Sequence, residues 1–424
     1  MELAEAAGDE ELAISVIATL SRVSWVTGQY DQALAESGQA LARARKAGSW
    51  SEEYEAATSL GWIHKHQGHH VESRDWFTRA LELARSARDL RREARAVSNL
   101  GNVLWYLGNL ESAVAHHREA IALSRRLGFR RGEASACGSL AVSLRQQGHY
   151  ESARGFNERH LAIAREIGSR LDEACALGNL GHVLGALGRY AEAMHLHEQQ
   201  LVLARATGIS RMEVDAETDL GTLYRVMGDR ARAQSMFAAV KSRARDLDVV
   251  EAEAEAGRQL GIMAGEDGDL ARARQEMETA VTLARGRVQR ETLADILLSY
   301  GELLARRDPI EGRGALEEGL ALARETGCVG FEVLAMTRLA LLAGGDPAPA
   351  MAGFAAHAER MYVEHRMEVA LALWKLTREA AYLTEAHRLL INLRDHAPAE
   401  YRESIIASVP LNREIRVAWE ASTA

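Results

Sequence analysis

From Arg92 to Leu107 the apolar and small residues fall at Ala96, Val97, Leu100, Gly101 and Leu104. Steps of one, three and four lay them on a single face of a helix. Gly108 follows, and glycine takes the left-handed conformation that closes a helix at little cost. A second stripe then runs from Leu110 to Arg126 through Ala113, Val114, Ala120, Ile121 and Leu123. The pattern predicts two antiparallel helices joined by a short turn, with Gly101 and Ala113 small enough to let them approach closely.

The same wording returns along the chain. "VSNLGNVLWYLGNLESAVAHHREAIALSRRLG" begins at Val97, and "LGNLGHVLGALGRYAEAMHLHEQQLVLARATG" begins at Leu177. Leu-Gly pairs stand at 60–61, 100–101, 180–181, 220–221 and 260–261, and Leu140-Ala141 and Tyr300-Gly301 fill the remaining places. A second glycine recurs at Gly28, Gly68, Gly108, Gly148, Gly188, Gly228 and Gly268. The interval is 40 residues throughout. A repeat of this length is one helical hairpin that buries its apolar face only by stacking on its neighbours.

These repeats resemble the tetratricopeptide repeat in a 40-residue form with longer helices. The likeness rests on Leu100-Gly101 in the first helix and on Ala113 and Ala120 in the second. The Asn-Leu-Gly-Asn wording is similar to that of kinesin light chains, the LGN/Pins polarity adaptors and bacterial regulatory proteins. Two features depart from the family pattern. Its early Trp is replaced by Ala57, Val97, Cys137 and Leu177, and its closing Pro is absent. The resemblance covers roughly Asp9 to Gly327 and implies an all-α, right-handed superhelix, an α-solenoid of about ten antiparallel helix pairs.

The register divides the chain. Residues 1–8 read as the remnant of a preceding repeat helix, which points to a covalently attached effector domain upstream. Residues 9–327 form the regular array. Pro309 and "GGDPAPA" at 344–350 interrupt it, so residues 328–398 read as divergent helix pairs. Residues 399–424 are amphipathic and suit capping helices over the last open face.

Where the short form of the repeat has Pro, this chain has Arg45, Arg85, Arg125, Arg165, Arg205, Arg245 and Arg285, with Arg324 one place out of register. Eight residues after seven of these eight stands a Glu: Glu53, Glu93, Glu133, Glu173, Glu213, Glu253 and Glu332. A basic residue at a helix end and an acidic one at the next start both complement helix dipoles, and the spacing lets them pair across the turn. The other reading is an arginine ridge that binds anions along one edge.

Composition narrows the function. The net charge is −9, which argues against a nucleic-acid binder that relies on overall charge. Cys137, Cys175 and Cys328 have no metal or redox spacing, so a reduced, cytoplasmic protein is expected. No apolar run approaches the roughly 20 residues of a membrane span. No phosphate loop, nucleophile elbow or zinc-protease motif is present, and no acid–base pair stands out, so the chain does not read as an enzyme and no cofactor is expected. The histidine run "HKHQGHH" at 64–70 points in several directions on a helix, so no metal site is expected there. His117 and His197 share the register of Phe77 and Phe237 and read as packed second-helix residues.

The resemblance places the partner on the concave face, lined by the first helices. That series runs through Ser59, Trp62, Asn99, Asn102, Ser139, Val142, Asn179, His182, Asp219, Thr222, Gln259 and Ile262. Arg95, Trp105, Tyr106, Arg145, Asp215, Arg225, Glu255 and Glu266 flank it. Asn donates and accepts, so a row of Asn holds the backbone of an extended peptide. Trp105 and Tyr106 offer an apolar anchor, while Arg95, Arg145 and Arg225 offer bidentate grips on carboxylates. The carboxylate clamp of co-chaperones needs Lys beside Asn, and no Lys occupies the central groove. The expected function is a non-catalytic scaffold that binds a protein or extended peptide, serving as the sensor or docking region of a larger bacterial regulator. The alternative is a small-ligand or signal-peptide sensor whose curvature changes on binding. No nucleic-acid or membrane partner is expected.

Overall fold

The computed structural model describes residues 10–26, 29–286, 288–342 and 344–423. The proposed remnant at 1–8 and Gly28 lie outside them. The described residues form α-helices and short 3-10 turns, with no strand among them. The helices form two compact units, residues 1–143 and 144–424.

The predicted hairpin at 92–126 is realised as helices Leu90–Tyr106 and Leu110–Arg126. The turn between them is a left-handed cap: Gly108 has φ of 77°, its N–H reaches Trp105 O at 3.0 Å, and Asn109 N–H reaches Leu104 O at 2.9 Å. The left-handed residue recurs every 20 positions, because the turn between hairpins closes in the same way as the turn within one. At two of these places the residue is not glycine: Arg88 and Asp248 have φ of 55° and 53°.

The repeated Leu-Gly pair has a packing cause. A Cβ on Gly61 would lie 2.7 Å from the ring of Phe77, and one on Gly101 would lie 2.7 Å from His117. In the second unit Gly181 faces His197, Gly221 faces Phe237, and Gly261 faces Met277 in the same way. In these five hairpins the first helix therefore offers bare backbone to a large side chain of the second. Phe77, Phe237, His117, His197 and Met277 are all buried to within about two per cent.

All seven arginine–glutamate pairs at spacing eight form. The separations are 3.1 Å for Arg45–Glu53, 3.0 Å for Arg85–Glu93, 2.8 Å for Arg125–Glu133 and 2.9 Å for Arg165–Glu173. Arg245–Glu253 and Arg324–Glu332 stand at 2.8 Å each. Arg205–Glu213 is longest at 4.0 Å, because Arg205 turns to Glu217 while Arg243 takes Glu213. Arg285, whose eighth successor is Leu293, pairs with Glu318 instead. These cations are committed to carboxylates, which leaves no open anion ridge along the predicted edge.

After Gly327 the second unit continues with helices Val329–Ala340, Ala348–His357, Val363–Thr377 and Ala380–His396. Short helices Arg402–Ala407 and Pro410–Thr423 end it. This part of the chain folds back on the repeats of its own unit. Tyr150 Oη donates to Arg360 O at 3.1 Å, and Arg360 Nε donates to Gln147 O at 2.7 Å. Ser404 Oγ donates to Met227 O at 2.6 Å. Three turn glycines spaced 40 residues apart, Gly148, Gly188 and Gly228, lie against Arg360, Leu393 and Ser404 with no space for a Cβ. Residues 399–424, read as a cover for an open face, place Tyr401 and Ile405 in one apolar core with Leu180, Leu184 and Leu223.

Candidate functional site

The returning segment walls off a cleft of about 640 Å³ in the second unit. Nine of the eleven groove and flanking residues expected in this unit line it, among them Arg145, Asn179, His182, Asp219, Thr222 and Arg225. These six come from helices Arg130–Gln146, Arg170–Ala186 and Ser210–Val226, spaced by the repeat so that equivalent positions face one space. Asp215, Glu255 and Gln259, also expected near the groove, line the cleft as well, whereas Ile262 and Glu266 belong to a neighbouring cleft.

At one end Arg145 Nη1 donates to Tyr362 Oη at 2.6 Å and stands 3.9 Å from Glu291. The Tyr150 and Tyr362 rings stack with centroids 5.8 Å apart. Burial raises the pKa of Glu291, and Arg145 opposes that rise. In the middle, Asp219 Oδ2 accepts from His182 Nε2 at 2.9 Å and lies 3.4 Å from His197 Nδ1. Burial works against the Asp219 charge, yet the two imidazoles hold its pKa below the ordinary carboxylate value. Asp215 is pushed up to about 6, first by burial and then by the charge of Asp219. It makes no ion pair among the described residues.

Toward the other end Glu364 accepts from Tyr190 Oη at 3.2 Å and lies 3.4 Å from Arg225. Arg258 lies between Glu255 at 2.7 Å and Asp295 at 3.3 Å. Burial tends to neutralise Glu255, but Arg258 and Gln259 hold its pKa low. Against the arginines Arg145, Arg225 and Arg258 stand the carboxylates of Asp215, Asp219, Glu251, Glu255, Glu291, Asp295 and Glu364. The cleft is therefore acidic, and its field favours a cationic occupant.

The first unit holds the other candidates. Trp62 and Arg95 line a separate cleft of about 350 Å³ with Trp25 and Ser59. Trp25 and Trp62 stack at 6.4 Å. Lys65 Nζ lies over the rings of both Trp62 and Tyr106, at 4.9 and 4.7 Å. Tyr106 also contacts Trp105 edge-on and stacks on His70. Asn99 and Asn102 are half-buried and, with Trp105 and Tyr106, lie outside both clefts. The run at 64–70 splits up: His66 goes to Trp25, His70 to Tyr106, and His64 to His69.

Sequence reasoning missed Tyr362, Glu364 and His365, which close the cleft from the C-terminal side, and also Glu291 and Asp295. The repeat register has ended where Tyr362, Glu364 and His365 stand, so no periodic signal marked them, whereas Asp295 continues the 40-residue series of Asp215 and Glu255 and that signal could have found it. Among the described residues, no helix is long and apolar enough to cross a membrane.

Tetratricopeptide-repeat family models match residues 12–86 and 92–166, and a second such model matches 176–209. No curated protein matches the sequence. Among solved structures, a Rap protein in complex with competence and sporulation factor shares 16% identity at a TM-score of 0.57, over 74% of this chain and 99% of that one. NprR in complex with its cognate peptide NprX shares 14% at 0.55, over 74% and 88%. Aspartyl phosphate phosphatase F from Bacillus subtilis shares 11% at 0.54, over 69% and 76%. At such identities the likeness is one of fold. The matched segments and the 40-residue register make residues 12–209 of this chain a run of tetratricopeptide repeats.

Proposed function

We propose that the chain is a non-catalytic peptide receptor of a bacterial regulatory system, and that it takes a short, extended, positively charged peptide in the acidic cleft of residues 144–424. One observation carries this reading: nine of the eleven groove and flanking positions expected in this unit line a single cleft whose carboxylates outnumber its arginines. At about 640 Å³ the cleft falls in the range of about 300–1,000 Å³ found for small-ligand pockets, which suits a few residues of peptide rather than a protein surface. Asn179 supplies donors and acceptors for the peptide backbone, and Asp215, without an ion-pair partner of its own, faces a Lys, Arg or terminal ammonium. The structural likeness to two proteins named as peptide complexes supports a peptide over other small ligands. Within the two sequence-based expectations, this favours the peptide sensor over the docking scaffold.

The test is fluorescence anisotropy with labelled short peptides of opposite charge. The basic set is expected to bind and to weaken as salt rises, with the acidic set silent. Asp215→Asn should weaken the basic set by about tenfold, the loss of one charge-assisted contact. Equal binding of both sets, or affinity unchanged by Asp215→Asn and Asn179→Ala together, would overturn the assignment.

A further inference from the structure

We infer that His182, His197 and Asp219 form a binding site for a divalent transition-metal ion of the zinc type. The three residues come from three helices, Arg170–Ala186, Tyr190–Thr207 and Ser210–Val226, so no local spacing announces them. Their donor atoms lie within 4.8 Å of one another, and this is the one group of its kind among the described residues. His182 Nε2 is 2.9 Å and His197 Nδ1 is 3.4 Å from Asp219 Oδ2. Ligands bound tetrahedrally to zinc at about 2.0–2.1 Å sit roughly 3.3 Å from each other, so the observed spacing needs little adjustment.

The donor orientation is fixed by packing. His197 is buried, and its Nε2 edge lies against the bare backbone of Gly181, which leaves Nδ1 as the nitrogen facing the cleft. Gln200 Oε1 lies 3.0 Å from that same Nδ1, near enough to supply a fourth donor. His182 is the exposed member, with 43% of its side chain accessible, so the ion has a path from the cleft. Asp215 lies close enough for its charge to be felt by Asp219 and His182, and a dication relieves the repulsion between the two carboxylates. Two imidazoles and one carboxylate, with the remaining position open to the cleft, suit zinc better than magnesium, which prefers an all-oxygen shell. On binding, any proton on the two donor nitrogens passes to solvent, so affinity falls as pH falls. The site lies in the cleft proposed for the peptide, but its test does not rest on that assignment, since the ion alone is the probe.

The experiment titrates the full chain, stripped with a chelator, with zinc alone and magnesium alone by calorimetry, and with cobalt by visible absorption. One zinc per chain is expected to depend on this site, with magnesium silent and a four-coordinate cobalt spectrum. His182→Ala and Asp219→Asn should each weaken zinc by at least about tenfold while circular dichroism shows the fold intact. His182 is exposed and Asn is isosteric with Asp219, so these changes leave the helices in place and weakened binding reads on ligation. Absence of zinc binding overturns the proposal, and so does zinc whose affinity neither variant changes, which would assign it to the histidines at 64–70.

Discussion

Phe77 is fully buried because Gly61 leaves it room. In an ordinary helix interior, Ala would be better than Gly by about 1 kcal/mol. Here the added methyl would sit 2.7 Å from a ring enclosed on all sides, and overpacking of that kind costs about 1–3 kcal/mol. Gly61→Ala is therefore expected to destabilise the first unit, read as a lower denaturant midpoint, with Phe77→Leu in the same chain recovering part of the loss. His117 fills the equivalent place beside Gly101, and burial lowers its pKa from 6.5 to about 4, with His116 adding to the effect. Between those values the unfolded chain binds a proton that the folded chain refuses. Stability is therefore complete above pH 6.5 and falls as the pH drops toward 4, by about 1.4 kcal/mol per unit and about 3 kcal/mol in all. Phe stands at this register in two other repeats, so His117→Phe should retain about 2 kcal/mol more of its pH 7 stability at pH 5 than the parent chain does.

Helices in this chain are joined by a common rule, an arginine ending one hairpin and a glutamate opening the next. In most of these pairs the arginine is about half exposed and the glutamate much less so, as in Arg165 at 52% and Glu173 at 14%. Exposed pairs contribute about 0.2–1 kcal/mol. A double-mutant cycle on Arg165→Glu and Glu173→Arg should return a coupling in that range, with the double reversal more stable than the sum of the single changes implies. Additive losses would show that the two ends are held by their helix dipoles alone. At the turns, Arg88 stands in a left-handed conformation that its neighbours in register fill with glycine. Non-glycine residues in that region cost about 1–2 kcal/mol, so Arg88→Gly should raise the melting temperature despite removing a side chain.

At the scale of the whole second unit, closure rests on contacts between residues more than 170 positions apart. Arg145 to Tyr362 spans 217 positions, Tyr150 to Arg360 spans 210, and Met227 to Ser404 spans 177. Such contacts fix the cleft wall that carries Tyr362 and Glu364. Tyr362→Phe keeps the ring stack on Tyr150 but removes the acceptor from a buried guanidinium. It should cost about 1.5–3 kcal/mol and raise hydrogen exchange over residues 358–366. If exchange there stays unchanged, apolar packing of Val363 and Leu393 holds the wall by itself.

Spacing alone was enough to derive the hairpins, their turns and the seven arginine–glutamate pairs, while the groove face of Asn179, His182, Asp219, Thr222 and Arg225 came from the resemblance. The reason is that each of the first three depends on separations of a few to 40 residues, and a repeat writes such separations many times over. The boundary between the units, and the cleft that Trp62 and Arg95 line with Trp25, were not legible in this way. Nor were the roles of Tyr362, Glu364 and His365, or the meeting of His182, His197 and Asp219. Those depend on how far the stack curves and on which turns the non-repetitive C-terminal helices settle against. That choice is made by apolar packing summed over many residues: Leu393 finds Gly188, and Ser404 finds the carbonyl of Met227. A one-dimensional pattern records the faces each helix offers, but only the closed tertiary structure decides which distant faces meet.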